Sequence, residues 1–329
     1  MRFAIFVLVA LSTGTAGTAD AQMPGKGKSV QPIHNGVRMS MIWNEIVAIG
    51  LEGLGYEVKV ALEAEIPKMH LAVAEGDADY MPVHWDPLNL VYYERSGGAA
   101  KLQKVGRLIK GVGEGYLIDK ATADEYGIDN LGQFADPKIA RLFDVDGDGT
   151  ADLMGCNRGW SCARAIDHHI DAYELRETVA QNQGVYFNLI ADTIARFKQK
   201  KPIFYYTWTP MWVSGVLVAG KDVKYLNVPF SSVLDEEGAD TALPDGRNRG
   251  FAANDIRVLA NNQFLRKNPA AEKLFELMKI ELDAINARSL LVHDGQDKLS
   301  DIRLHAESWA AEHRATLDQW IAEVAAAAD

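Results

Sequence analysis

MPVHWDP at residues 81 to 87 and IFYYTWTP at residues 203 to 210 share one plan, an extended run that closes on Trp-x-Pro. Proline disfavours the helical region for its predecessor, so each run stays extended and then turns, leaving Trp85 and Trp208 at or just beyond the carboxyl end of a strand. The surroundings repeat the pattern. LAVAEGDADYMPVHWDP (71 to 87) reads as a helix end, a short strand and a turn. IWNEIVAIGLEGLGYEVKVAL (42 to 62) places apolar residues at helical spacing up to Gly55 and then alternates. GEGYLIDKATADEYGI (113 to 128) reads as a strand leading into a helix. IRVLANNQFLRKNPAAEKLFELMKIEL (256 to 282) reads as a return strand and one long helix, with helical patterning continuing to the C-terminus. Alternating helices and strands predict an α/β fold in layers. Ligands of open α/β sheets lie outside the carboxyl ends of strands, so Trp85 and Trp208 are expected to face one another across a cleft between two lobes. The competing expectation is that each indole plugs the core of its own lobe.

Bulk properties bound the function classes. The chain has 329 residues, enough for two lobes with separate cores. With 34 basic against 45 acidic residues it is acidic, and its single basic run, KQKK at 198 to 201, reads as a solvated helix end, which argues against nucleic acid as a partner. Arg2, an apolar run from Phe3 to Leu11 and the A-x-A ending Ala19-Asp20-Ala21 make residues 1–21 a secretory signal peptide, cleaved after Ala21. Export to an oxidising compartment favours a disulfide for the chain's 2 cysteines, Cys156 and Cys162.

Those cysteines bracket Arg158, Gly159, Trp160 and Ser161. A loop so short gains only about 2 kcal/mol from chain entropy, so its expected purpose is local. ARAIDHHIDAYELRETV (163 to 179) follows as a helix whose first free amides come from Ser161 and Cys162, an arrangement that suits an anion. An indole attracts cations through its π face. Beside those amides, Trp160 suits a zwitterion; the alternative is a stapled surface turn around a core tryptophan. Upstream, DVDGDGTAD sets Asp144, Asp146, Asp148, Thr150 and Asp152 at offsets one, three, five, seven and nine, with Gly149 at six. That is the spacing of a calcium loop, although Gly155 at position twelve replaces the bidentate glutamate of an EF-hand, so a weak structural calcium site is expected, or else a solvated acidic turn. A zinc set of Cys156, Cys162, His168 and His169 fits no familiar spacing. The triplet Asp167-His168-His169 reads as an exposed helix turn rather than part of a metal phosphoesterase. With no Gly-rich phosphate loop and no G-x-S-x-G elbow, the chain is read as a non-enzyme that requires no cofactor.

Taken together, MPGKG (23 to 27), LEGLGY (51 to 56), GYLIDK (115 to 120), DPKIARLFDVDGDGTADLMGCN (136 to 157), GWSCARAI (159 to 166), FYYTWTP (204 to 210) followed by Trp212, and KNPAAEKLF (267 to 275) resemble the periplasmic glycine betaine/proline betaine-binding proteins of the ProX type, which deliver osmolytes to an ABC importer. The likeness covers essentially the whole mature chain. It implies a two-lobed type II periplasmic binding protein fold with a central ligand cleft: a first lobe from residues 22–117 and 251–329, and a second from 118–250. In that family three tryptophans cage a trimethylammonium group, and by motif they fall on Trp85, Trp160 and Trp208. The ligand carboxylate is held by amides that correspond to Ser161 and Cys162 and by a histidine four residues after the first cage tryptophan. Asn89 stands there instead, shorter and uncharged but still able to donate a hydrogen bond. The family's cysteine pair corresponds to Cys156 and Cys162. Asp86 is expected to lie near the ligand or to cap the turn after it, and Trp43 to be packing.

The resemblance further implies a monomer in the periplasm, working with an inner-membrane permease. The implied ligand is glycine betaine or proline betaine, with trimethylamine N-oxide, dimethylsulfoniopropionate, choline and carnitine as alternatives of the same class. A calcium-dependent hydrolase and a receptor-coupled sensor are the readings from other classes.

Overall fold

The computed structural model describes residues 23–234, 238–243 and 245–328; the signal peptide expected over residues 1–21 lies outside them. The α/β expectation holds, and the fold is two-lobed. Its centre is a sheet of seven strands: β1 (Tyr80–Asp86), β2 (Leu102–Asp119), β3 (Ala151–Met154), β4 (Val179–Asn182), β5 (Phe204–Thr209), β6 (Val223–Tyr225) and β7 (Asn254–Asn261). Their order is β1-β7-β2-β5-β3-β4, with β6 on β2.

The long strand β2 does two jobs. Residues from Leu102 to Val112 pair antiparallel with β7, and residues from Gly113 to Ile118 pair antiparallel with β5. One strand thus pairs in turn with two different neighbours, and the hand-over falls at Val112 and Gly113. Close packing is needed on the way. Gly106 has φ +59, and a Cβ there would meet the carbonyl oxygen of Phe275 at 2.2 Å, so a helix can approach this strand only because the residue is glycine.

Aromatic side chains run through a continuous buried core. Tyr80 and Phe275 pack at 5.0 Å beside the fully buried Trp43, while Phe134 stacks on Phe204 at 4.4 Å with Phe143 at their edge. The helix Arg38–Gly53 buries its apolar stripe as its spacing predicts, and the penultimate helix Leu299–Glu312 returns to cover it. Arg303 of that helix reaches Glu45 at 3.2 Å, Glu52 at 2.8 Å and Glu307 at 2.9 Å, tying the end of the chain to its beginning.

Two expectations need correction. The stretch after β7 is not one long helix but three, Asn262–Lys267, Pro269–Leu277 and Leu282–His293. Pro269 forces the first break, because the residue before it, Asn268, is held out of the helical region at φ −134 and ψ 61. Nor is the Asp167-His168-His169 turn exposed. His169 is buried, its Nδ1 bonded to the Tyr116 hydroxyl at 2.7 Å and its Nε2 to the Ser232 carbonyl at 2.9 Å. KQKK does lie at a solvated end, closing the helix Tyr186–Lys198. No described helix is long and apolar enough to cross a membrane.

Candidate functional site

The two Trp-x-Pro turns repeat in three dimensions as they do in sequence. β1 and β5 both end at a cis X-Pro bond, Asp86-Pro87 and Thr209-Pro210. Trp85 stands on β1 opposite Ile256, and Trp208 on β5 opposite Glu114 of β2. Trp160 arrives from the other side, as the residue immediately preceding the helix Ser161–Ala172. The disulfide between Cys156 and Cys162 spans 6.1 Å between Cα atoms and fixes that arrival, pinning the loop to the first turn of the helix it precedes.

All three indoles line one pocket. Trp160 and Trp208 meet edge to face, with centroids 6.0 Å apart and planes at 68°, and Tyr186 backs Trp208 at 4.4 Å. That geometry presents π faces on different sides of a single space, so a cation placed there meets more than one negative ring face. The other predicted residues line the same pocket: Asn89, Ser161 and Cys162. The first amides of the helix have no carbonyl one turn back to bond, so this end of the pocket offers donors and the positive end of a helix dipole. Asn89 is buried and accepts a hydrogen bond from the Ser161 hydroxyl through Oδ1 at 2.8 Å, which makes the amide NH₂ its remaining donor.

Contacts across the cleft hold the two sides together. Besides Ser161 to Asn89, the Tyr92 hydroxyl donates to the carbonyl of Gly159 at 2.9 Å, and the Trp160 indole N–H to Glu65 at 3.4 Å.

Asp86 is turned away from the pocket. Lys104 of β2 and Arg257 of β7 each reach its carboxylate at 2.7 Å, so its charge is neutralised within the sheet. Beneath Trp85 lies a buried chain of histidines. His70 Nδ1 bonds the Ile66 carbonyl at 2.8 Å, and its Nε2 meets His84 Nδ1 at 3.1 Å. Burial pushes His70 down to about 4, and burial together with its basic neighbours, His70 foremost, holds His84 well below the usual histidine range, so both are neutral.

Among the lining residues that sequence reasoning did not place in the site are Trp43, Glu114 and Tyr206. Trp43 is packing, as expected, with its indole N–H donated to the Pro82 carbonyl at 2.9 Å, yet it also lines the pocket. Glu114 is 3% exposed and lines the pocket beside Trp208. Its signal was present as a lone carboxylate in the otherwise uncharged run GVGEGYLI, residues 111 to 118.

The acidic loop lies apart from the pocket. Asp144, Asp146 and Asp152 bring carboxylate oxygens within 4.8 Å of one another, a group that could coordinate a metal. Asp148 and Thr150 are not part of it; Asp148 accepts from both the amide and the hydroxyl of Thr150, at 2.8 and 2.7 Å. A zinc set is excluded, because both cysteines are spent in the disulfide.

Comparison with known proteins agrees with this geometry. The model of the substrate binding domain of ABC-type glycine betaine transport systems, OpuAC, matches residues 28–312. The chain is 44% identical over 328 residues, 99% of each sequence, to the glycine betaine/proline betaine-binding periplasmic protein of Escherichia coli. It is 46% identical over 319 residues, 97% of this chain and 96% of the relative, to the glycine betaine-binding periplasmic protein OusX of Dickeya dadantii. Among solved structures, lactococcal OpuAC in its closed-liganded conformation with glycine betaine superposes with a TM-score of 0.68 at 18% identity, over 89% of this chain and 99% of that one. A choline-binding protein of an ABC transporter superposes with a TM-score of 0.70 at 16% identity, over 92% and 98%.

Proposed function

The chain belongs to the family of substrate-binding domains of ABC-type glycine betaine transport systems, and on that premise we propose that it captures glycine betaine or proline betaine between its lobes and presents it to an inner-membrane permease. It is a periplasmic transport component and not an enzyme. The observation that carries the ligand reading is the convergence of Trp85, Trp160 and Trp208, from three separate segments, on a pocket whose other end is made by Ser161, Cys162 and Asn89. In this reading the indoles take the quaternary ammonium, and the helix amides with the Asn89 NH₂ take the carboxylate. The lobes are residues 22–117 with 251–329, and 118–250.

Magnitudes support it. Three desolvated cation–π contacts at up to about 2 kcal/mol total roughly 6 kcal/mol. Charge-assisted hydrogen bonds at about 1.5 to 3 kcal/mol each add to that before ordering costs. A net of about 8 kcal/mol corresponds to micromolar affinity. Selectivity for methylated ammonium follows from chemistry: it carries no N–H, whereas a primary amine would bring donors that the indole faces leave unpaired. Closure follows because a ligand held by both lobes stabilises the closed state over the open one.

A thermal-shift screen of methylated ammonium and sulfonium compounds tests the proposal, since a ligand that binds only the folded chain raises its melting temperature. Silence across the whole set refutes it. The loop from Asp144 to Asp152 is read as a structural calcium site, supported by the gathering of Asp144, Asp146 and Asp152.

A further inference from the structure

Glu114 sits where the two halves of β2 meet, and its carboxyl is bonded on both sides by neutral donors. The Tyr206 hydroxyl of β5 donates to one oxygen, and Asn254 Nδ2 of β7 donates to the other at 2.8 Å. Among the described residues that line the pocket, Glu114 is the single carboxyl, and no lysine, arginine or histidine lines it. A buried carboxyl without a cationic partner is costly unless something else supplies the positive charge. Here the space beside it is walled by indoles arranged for a cation.

We propose that Glu114 is the charge-selecting residue of the pocket: as a carboxylate it pairs with the onium head and favours quaternary ammonium ligands whose tail is uncharged, and in its neutral form it gives that preference up. This rests on the proposed function. A cation with an uncharged tail gains the full attraction of Glu114. A zwitterion brings its own carboxylate into the same cavity, where like-charge repulsion offsets part of that gain.

Burial raises Glu114 to about 7, against the opposing hydrogen bond from Tyr206, so its charge changes within the physiological range. The groups facing it do not follow. Tyr206 on β5 and Tyr116 on its own strand are pushed far up by burial, and His169 on the helix Ser161–Ala172 is pushed down to about 4 by burial. Asn254 on β7 and Ser161 carry no charge. Glu114 also borders an adjoining cavity lined by Glu94, Arg95 and Arg164, which do not line the one with the tryptophans, and its two oxygens are bonded by Tyr206 and Asn254; Glu65 meets the edge of Trp160.

The test is calorimetry of the mature chain with choline chloride and glycine betaine at about pH 8 and about pH 5.5, for wild type and Glu114→Gln. The wild type is expected to lose about tenfold of its relative preference for choline at the lower pH, and the glutamine variant to show the same preference at both. At neutral pH choline binding to wild type should release a proton, read as an apparent enthalpy that varies with the ionisation enthalpy of the buffer. That last measurement decides the matter alone if the variant fails to fold. A wild type that binds betaine but shows neither proton release nor a pH-dependent preference overturns the assignment and leaves the transport reading standing. A wild type that binds neither ligand at either pH overturns both.

Discussion

Replacing Trp160 with alanine isolates the wall of the pocket that the stapled loop supplies. Taken alone, the loop CNRGWSC is a small staple around one aromatic residue; in the structure its indole is 8% exposed, edge to face with Trp208, and reaches across to Glu65. The residue lies on a loop, outside every strand of the sheet, so truncation removes one wall of the pocket without cutting the sheet. Losing one desolvated cation–π contact costs about 2 kcal/mol, close to a thirtyfold rise in Kd for glycine betaine. Apolar contact contributes as well, and a carbon isostere separates the two. In 3,3-dimethylbutanoate the ammonium nitrogen is replaced by carbon, so it keeps the shape and the carboxylate but loses the cation. Titration calorimetry of both ligands should show the wild type preferring betaine strongly, and Trp160→Ala losing most of that preference. Circular dichroism confirms the fold. An affinity within twofold of wild type, or an unchanged preference for betaine over its isostere, would refute the assignment of Trp160 to the cation site.

Other outcomes follow from the same contacts. Changing Cys156 and Cys162 to serine removes a short closure worth about 2 kcal/mol, so scanning calorimetry should find a small drop in melting temperature, with a proportionally larger loss of betaine affinity because the loop and the helix amides move together. Tyr92→Phe deletes the bond to the Gly159 carbonyl and should weaken ligand binding several-fold, at about 1 kcal/mol, by loosening the closed state; unchanged affinity would mean that this contact does not report closure. Calcium at about millimolar concentration should raise the melting temperature and a chelator reverse it, while no shift would remove the acidic loop from consideration as a metal site. Acidification carries a definite sign. His70 and His169 have folded values near 4, below their unfolded values, so their stabilising contribution is full above about pH 6.5 and is lost as pH falls toward 4, up to about 3 kcal/mol each. Glu114 acts oppositely: its raised value penalises folding above about pH 7, and the penalty fades toward pH 4.5. Denaturant titrations should therefore show a net loss of stability in that window, steeper in Glu114→Gln; a profile flat from about pH 6.5 to 4 in wild type would contradict the buried neutral histidines.

Local chemistry that needs no distant partner was legible from the residues alone. Trp-x-Pro dictates an extended end and a turn wherever it occurs, so Trp85 and Trp208 could be placed at strand ends before any fold was known. The start of the helix at Ser161 was equally readable, because apolar spacing and the stapled loop before it are properties of one short segment, but the helix expected to run to residue 179 ends at Ala172, and Val179 opens β4. Where a local signal competed with another, the reading was less secure: the helical spacing of residues 261 to 282 hid the break that Pro269 imposes.

Tertiary structure alone decided what meets what. Asp86 follows Trp85 by one residue, yet alternation on β1 turns it to the opposite face, where Lys104 and Arg257 take its charge. The adjacent histidines looked like an exposed turn, because nothing within their own segment announces Tyr116 or Ser232 as partners. The surroundings of Glu114 were hidden for a similar reason, although the lone carboxylate itself stands out in the sequence. A carboxylate in a strand is ordinarily solvated, and only the convergence of β5, β7 and the Trp160 loop on the hand-over point of β2 removes it from water and sets it against the indoles. Sequence fixes conformation through neighbours along the chain; burial and charge depend on neighbours in space, supplied here by strands 92 and 140 residues away.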